Sequence, residues 1–154
     1  MTLKEISRKT EELVVPILDR EQAFLVEIRA SVERGTTRIL VFIDTDSGVT
    51  IDQCATVSRA LAASMDSAGL MTGTNYQLEV SSPGLDQPLK LLRQYQKNLG
   101  RRFRVRFSTD AEPGNMTATL VAVDNDQLTF QPDAGEPLSL PFQRILESKE
   151  ELPW

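Results

Sequence analysis

Apolar residues recur every three to four positions along the first 17 residues. Leu3, Ile6, Thr10, Leu13, Val14 and Ile17 fall on one stripe of a helix. Pro16 lacks an N–H and clashes one turn back, so this helix is predicted to kink or break there. The pattern then switches to alternation. Phe24, Val26, Ile28, Ala30 and Val32 alternate with Leu25, Glu27, Arg29 and Ser31, which predicts a half-buried strand. Residues 34–36 make a short connection, and residues 37–44 form a second strand. There Ile39, Val41 and Ile43 face one way and Leu40 and Phe42 the other, the signature of a central strand. Asp46, Ser47 and Gly48 form a turn. Thr50 and Gln53 fit a capping box, and Cys54, Val57, Leu61 and Met65 make one face of a helix from Asp52 to about Ser67. Residues 75–80 are a third strand, with Tyr76, Leu78 and Val80 on one face.

Ser81, Ser82, Pro83 and Gly84 break all periodicity, and Pro88 limits it again. We expect two domains, 1–89 and 90–154, with this loop at the boundary. Residues 90–99 read as a short helix ending at Gly100 as a C-cap. Residues 102–107 alternate strictly between basic and apolar. Strands follow at residues 116–123, 128–131 and 138–140, a helical turn at Pro141, Phe142 and Gln143, and a last strand around Ile145 and Leu146. Short strands at near-regular spacing predict a small closed barrel.

Composition narrows the chemistry. The chain has 154 residues, 40% of them hydrophobic and 25% charged, values of an ordinary globular protein. It contains no His, which removes the usual base of Ser/His and Cys/His catalysis and the commonest metal ligand. One cysteine excludes internal disulfides and Cys-rich zinc sites. No run of apolar residues is long enough for a membrane helix, and the N-terminus has no signal-peptide core, so a cytoplasmic protein is expected.

The net charge of −5 argues against broad nucleic-acid binding only as an average. Residues 90–106 hold Lys90, Arg93, Lys97, Arg101, Arg102, Arg104 and Arg106 with no acid, a local +7. In the strand, Phe103, Val105 and Phe107 point one way and three arginines the other, at intervals of about 6.8 Å. Such a row suits a phosphate backbone or an acidic protein strip. The alternative is a solvated edge strand guarded by charge, with acids of neighbouring strands neutralising it.

Other candidates are weaker. Asp44, Asp46 and Asp52 invite a metal-dependent hydrolase, but Val49 and Ala55 stand where a calcium loop needs Gly and Glu. Turn and helix-start residues are the favoured reading of this cluster. Cys54 lies on an apolar stripe and reads as a small buried hydrophobe. Ser81 and Ser82 lack a G-x-S-x-G frame, and no phosphate-cradling glycine loop occurs. No residue pattern points to an enzyme or a cofactor.

The run Leu78-Glu79-Val80-Ser81-Ser82-Pro83-Gly84-Leu85-Asp86, followed by Pro88-Leu89, closely resembles the signature of the bacterial ribosome maturation factor family RimP. Val41-Phe42-Ile43-Asp44, Gly48-Val49-Thr50-Ile51-Asp52 with Cys54, and Val57-Ser58-Arg59-Ala60-Leu61 match at the family's spacing. So do Leu99-Gly100-Arg101-Arg102 and Leu140-Pro141-Phe142 before Ile145. The resemblance covers nearly the whole chain. Three features depart from the family pattern: Gln87 where Arg is usual, acidic Glu147, Glu150 and Glu151 in a last strand that is commonly basic, and Arg20-Glu21-Gln22 without the glycine common at that turn.

The resemblance implies an α+β protein: an N-terminal α/β sandwich of helices on a small sheet, then a C-terminal SH3-like or Sm-like small β-barrel. It implies a non-enzymatic assembly factor that binds the immature small (30S) ribosomal subunit and assists incorporation of a ribosomal protein near the decoding centre. The expected partners are that subunit, a basic ribosomal protein and ribosomal RNA, with no cofactor, membrane or small-molecule substrate. Candidate contacts are Arg93, Lys97, Arg101, Arg102, Arg104 and Arg106. Ser81, Ser82, Pro83, Gly84, Leu85, Asp86 and Pro88 are the candidate interdomain hinge. The alternative from another class is a general RNA-binding small barrel.

Overall fold

A computed structural model describes residues 1–83 and 87–151. The chain divides into two compact units between Pro83 and Gly84. The signature-loop residues Gly84, Leu85 and Asp86 lie outside the described residues.

The first unit runs α1 (Leu3–Arg20), β1 (Phe24–Glu33), β2 (Thr36–Asp44), α2 (Ile51–Ala68) and β3 (Tyr76–Ser81). Thr2 caps α1 by accepting from the Glu5 N–H at 3.1 Å. The helix passes through Pro16 to Arg20, contrary to the expected break. Pro16 lies on the exposed side, while Val14, Ile17 and Leu18 around it are buried in the core. Burying that stripe outweighs the one hydrogen bond that proline removes. At the following turn Gln22 adopts a left-handed φ of 56°, in the stretch where the related pattern commonly has glycine.

β1 and β2 are antiparallel across a two-residue turn, Arg34-Gly35, with φ of 50° and 78°. Two left-handed residues match the natural twist of a hairpin. β3 pairs parallel to β2 after the α2 crossover, so the order is β1-β2-β3 and β2 is central. The capping box at Thr50 and Gln53 is formed at both ends, and Gly69 closes α2 at φ 65°. Thr37, Ile39, Val41 and Ile43 of β2 are buried against Val57, Leu61 and Met65 of α2 and the α1 stripe. On the other sheet face the Arg29 guanidinium sits 5.1 Å from the Phe42 ring centre.

The second unit opens with two single turns of 3-10 helix, Leu92–Gln94 and Gln96–Asn98, in place of the expected helix over 90–99. Two buried amides explain the tighter winding. The Gln94 carboxamide oxygen accepts from the Lys90 and Leu91 N–H groups at 2.8 and 2.9 Å. Asn98 Nδ2 donates back to the Gln94 carbonyl at 2.6 Å. These side chains replace the backbone bonds a longer helix would have made.

Strands β4 (Arg102–Phe107), β5 (Gly114–Asp124), β6 (Gln127–Pro132), β7 (Leu138–Pro141) and β8 (Ile145–Glu150) form one antiparallel sheet in the order β7-β6-β5-β4-β8. The sheet is not closed as a barrel, which corrects the expected closed form. β7 and β8 occupy its two edges and are joined by a 3-10 turn at Phe142–Arg144. β7 has four residues and ends on Pro141, which has no N–H to offer a further partner. The core is Tyr95, Phe103, Val105, Ala118, Leu120, Leu128 and Phe130, with Leu89 packed against it. The Leu89 N–H donates to the Ser148 carbonyl at 2.9 Å, so Leu89 belongs with the second unit.

Candidate nucleic-acid interface

β4 is held on both sides, by β5 and by β8. It is therefore a central strand, and edge protection does not account for its arginines. Its alternation sorts the side chains cleanly. Phe103 and Val105 are buried, whereas Arg102, Arg104 and Arg106 are exposed.

The neighbouring strands complete the outer face. Directly opposite residues of an antiparallel pair share a face. Thr119, Thr117 and Asn115 of β5 stand beside Arg102, Arg104 and Arg106. On the β8 side, Lys149 stands beside Arg104 and Glu147 beside Arg106. The charge pattern of the sequence does not point to Lys149, which strand pairing brings to this face. Its signal is the pair Glu147 and Lys149 flanking Ser148, but the strand expected around Ile145 and Leu146 stops short of it.

Acids meet the row unevenly. Arg101 Nη1 lies 3.2 Å from Glu150 Oε1. Arg102 Nη2 lies 2.7 Å from Asp133 Oδ2 and 3.6 Å from Glu151 Oε1. Arg104 Nε is 3.5 Å from Glu151 Oε2, and its side chain remains 79% exposed. Among the described residues, Arg106 and Lys149 make no ion pair. Asp133, Glu150 and Glu151 thus neutralise the beginning of the row and leave its far end cationic. Arg104 and Arg106 line an open depression of about 430 Å³ together with Asn115, Met116, Thr117 and Glu147.

The other predicted site residues fall elsewhere. Arg93 and Lys97 lie on the 3-10 turns before the sheet, Arg93 exposed and Lys97 half-buried. Ser81 ends β3, Ser82 is exposed, and Pro83 and Pro88 are half-buried. Asp44 is buried at the end of β2 and accepts from the Thr45 N–H at 2.8 Å. Asp46 is exposed in the turn, and Asp52 sits in the first turn of α2. Among the described residues no group of three His, Cys, Asp or Glu side chains could hold a metal ion. Cys54 is buried on α2. Desolvation, and secondarily the Asp44 charge, push its thiol pKa up, the opposite of what a nucleophile needs.

No helix among the described residues is long and apolar enough to cross a membrane. Compared with models of known protein families, residues 13–86 match the RimP N-terminal domain. The match spans α1 from Leu13 through β3 and into the signature loop.

Proposed function

The chain belongs to the RimP family of ribosome maturation factors, and from that premise we propose that it acts by binding alone on the immature small (30S) ribosomal subunit. On this reading it assists incorporation of a basic ribosomal protein near the decoding centre, in the cytoplasm and without a cofactor. The observation that supports it, beyond the family, is the cationic outer face of β4 in a chain of net charge −5. Arginine side chains on a central strand are held at fixed spacing by the sheet beneath them. They can meet ribosomal RNA phosphates as a preformed, salt-dependent surface. The first unit, where acids outnumber bases, offers charge complementarity to a basic ribosomal protein. The loop from Ser81 to Pro88 is the proposed hinge, because Pro83 and Pro88 each fix one backbone angle.

A general binder of single-stranded RNA would display aromatic stacking platforms. The aromatic residues of β4 do not serve: Phe103 is buried and the Phe107 ring lies over Gly114. Co-sedimentation with small subunits over a salt series tests the proposal. Binding should weaken steeply with salt, and replacing Arg102, Arg104 and Arg106 by Glu should abolish it. Retention of that variant on subunits would remove the basic face from the mechanism. Normal small subunits in cells lacking the protein would count against the assembly role itself.

A further inference from the structure

We infer that the anion-binding part of the β4 face is a three-cation cluster, Arg104, Arg106 and Lys149, that takes the phosphate–ribose backbone of RNA with Glu151 as its internal competitor. The inference rests on the proposed contact of this face with ribosomal RNA, and it locates that contact.

Position decides it first. Arg104 and Arg106 are alternate residues of one strand, about 6.8 Å apart along the sheet. Lys149 is the direct cross-strand neighbour of Arg104, with Cβ atoms on the order of 5 Å apart. The three form a compact triangle on two hydrogen-bonded strands, so its geometry needs no loop to order.

Availability decides it second. Arg101 and Arg102 are engaged by Glu150 and by Asp133 with Glu151, whereas Arg106 and Lys149 have no acid within ion-pair distance among the described residues. Arg104 is shared. Its Nε lies near Glu151, and its largely exposed side chain is free to turn toward another anion. A carboxylate in loose contact with an exposed guanidinium is weakly held, so a phosphate can displace it. Glu151 occupies part of the place that an incoming phosphate would take.

The neutral lining decides the kind of anion. Asn115 and Thr117 stand beside Arg106 and Arg104, and both side chains donate and accept hydrogen bonds, as phosphate- and sugar-contacting side chains do. Glu147, on the rim beside Arg106, is an acceptor. It repels a strip of carboxylates, yet it can accept from a ribose 2′-hydroxyl. A backbone that alternates anionic phosphates with hydroxyl donors satisfies both kinds of lining. The side chains of an acidic peptide satisfy only the cations.

The test measures binding of the full chain to a single-stranded 20-nucleotide RNA by fluorescence anisotropy over a salt series. A poly-glutamate peptide of equal charge serves as competitor. The double variant R106Q/K149Q should bind on the order of tenfold more weakly. Its log–log salt slope should be shallower by about 1.4, because single strands lose about 0.7 per phosphate contact. Arg102→Gln should weaken binding less than Arg106→Gln, and Glu151→Gln should tighten it. The inference is overturned if Arg102→Gln is the more damaging change, if Glu151→Gln leaves affinity unaltered, or if the peptide displaces RNA as well as RNA does. Far-ultraviolet circular dichroism checks that each variant is folded. If the variants show this ordering on RNA but the wild-type chain does not co-sediment with small subunits, the site stands and the proposed function is defeated. The reverse pair of results retains the function and defeats the site.

Discussion

β2 and β4 are the same solution to a packing problem, used for different ends. Each is a central strand with alternate residues buried: Ile39, Val41 and Ile43 in one, Phe103 and Val105 in the other. They differ on the opposite face. β2 shows Arg38, Leu40 and Phe42 there, with Arg29 of β1 stacked on Phe42 and Glu33 3.3 Å from Arg38. That face is half-buried and answered by its own strand neighbours. β4 shows three exposed arginines, a lysine across the strand, and acids that reach only the first part of the row. The inward half of a strand decides whether the sheet forms. The outward half is free to carry chemistry: in the first sheet it mixes paired charges with Leu40 and Phe42, and in the second it presents a row of cations.

Cutting into the inward halves should produce the largest effects. Phe103→Ala should destabilise the second unit by about 3–5 kcal/mol, and Ile39→Ala the first by about 2–5 kcal/mol, from lost burial plus cavity. Urea unfolding measures both. Arg104→Ala, on the outward half, should change stability by less than about 0.5 kcal/mol. A cost for Arg104→Ala near that of Phe103→Ala would break the division between the two faces.

A middle-sized effect tests how the first sheet receives its parallel strand. Thr50 starts the crossover helix by accepting from the Gln53 N–H at 3.1 Å, while the Gln53 side chain accepts from the Thr50 N–H at 3.0 Å. Thr50→Ala should cost about 1 kcal/mol in thermal unfolding and leave RNA binding intact. Among its described residues the second unit has no such helix to weaken, so a loss of RNA affinity in this variant would show the two units to be coupled.

Tyr95→Phe should have only a small effect at neutral pH. The Tyr95 ring is buried, 6.5 Å from Phe103 and 6.0 Å from Phe142 between centroids. Its hydroxyl faces Ser148 without a well-formed hydrogen bond, so removing it should alter stability by less than about 1 kcal/mol. Burial raises the Tyr95 pKa, with the Ser148 hydroxyl offsetting it only in part. A raised folded pKa means the folded chain holds this proton more tightly than the unfolded one. The corresponding stability is complete below the ordinary tyrosine value of about 10 and is lost as pH rises through the folded value. Wild type should therefore lose more stability than Tyr95→Phe between neutral pH and pH 11. Parallel stability–pH curves would show that the hydroxyl is not desolvated.

Much of this was legible in order along the chain. Every strand appears near its predicted place, because period-two alternation reports a half-buried strand directly. The capping box at Thr50 and the central role of β2 were equally plain. Two departures share one cause, a tertiary contact overriding a local signal. Pro16 does not end α1, since Ile17 and Leu18 continue a buried stripe past it. Residues 90–99 wind as 3-10 turns because Gln94 and Asn98 are buried and satisfy the backbone themselves. The expected barrel is an open sheet, because strand spacing records how many strands there are and not whether the edges meet.

The candidate site divides the same way. The sequence by itself determined which face of β4 is cationic, because side-chain alternation along a strand is a covalent fact. It also determined the absence of His and the family signature. Only the tertiary structure decided which cations are left available. Asp133, Glu150 and Glu151 come from other strands and loops, and so does Lys149. Charges 30 to 50 positions away in sequence become neighbours through strand pairing alone, and at ion-pair distance they outweigh anything nearer along the chain.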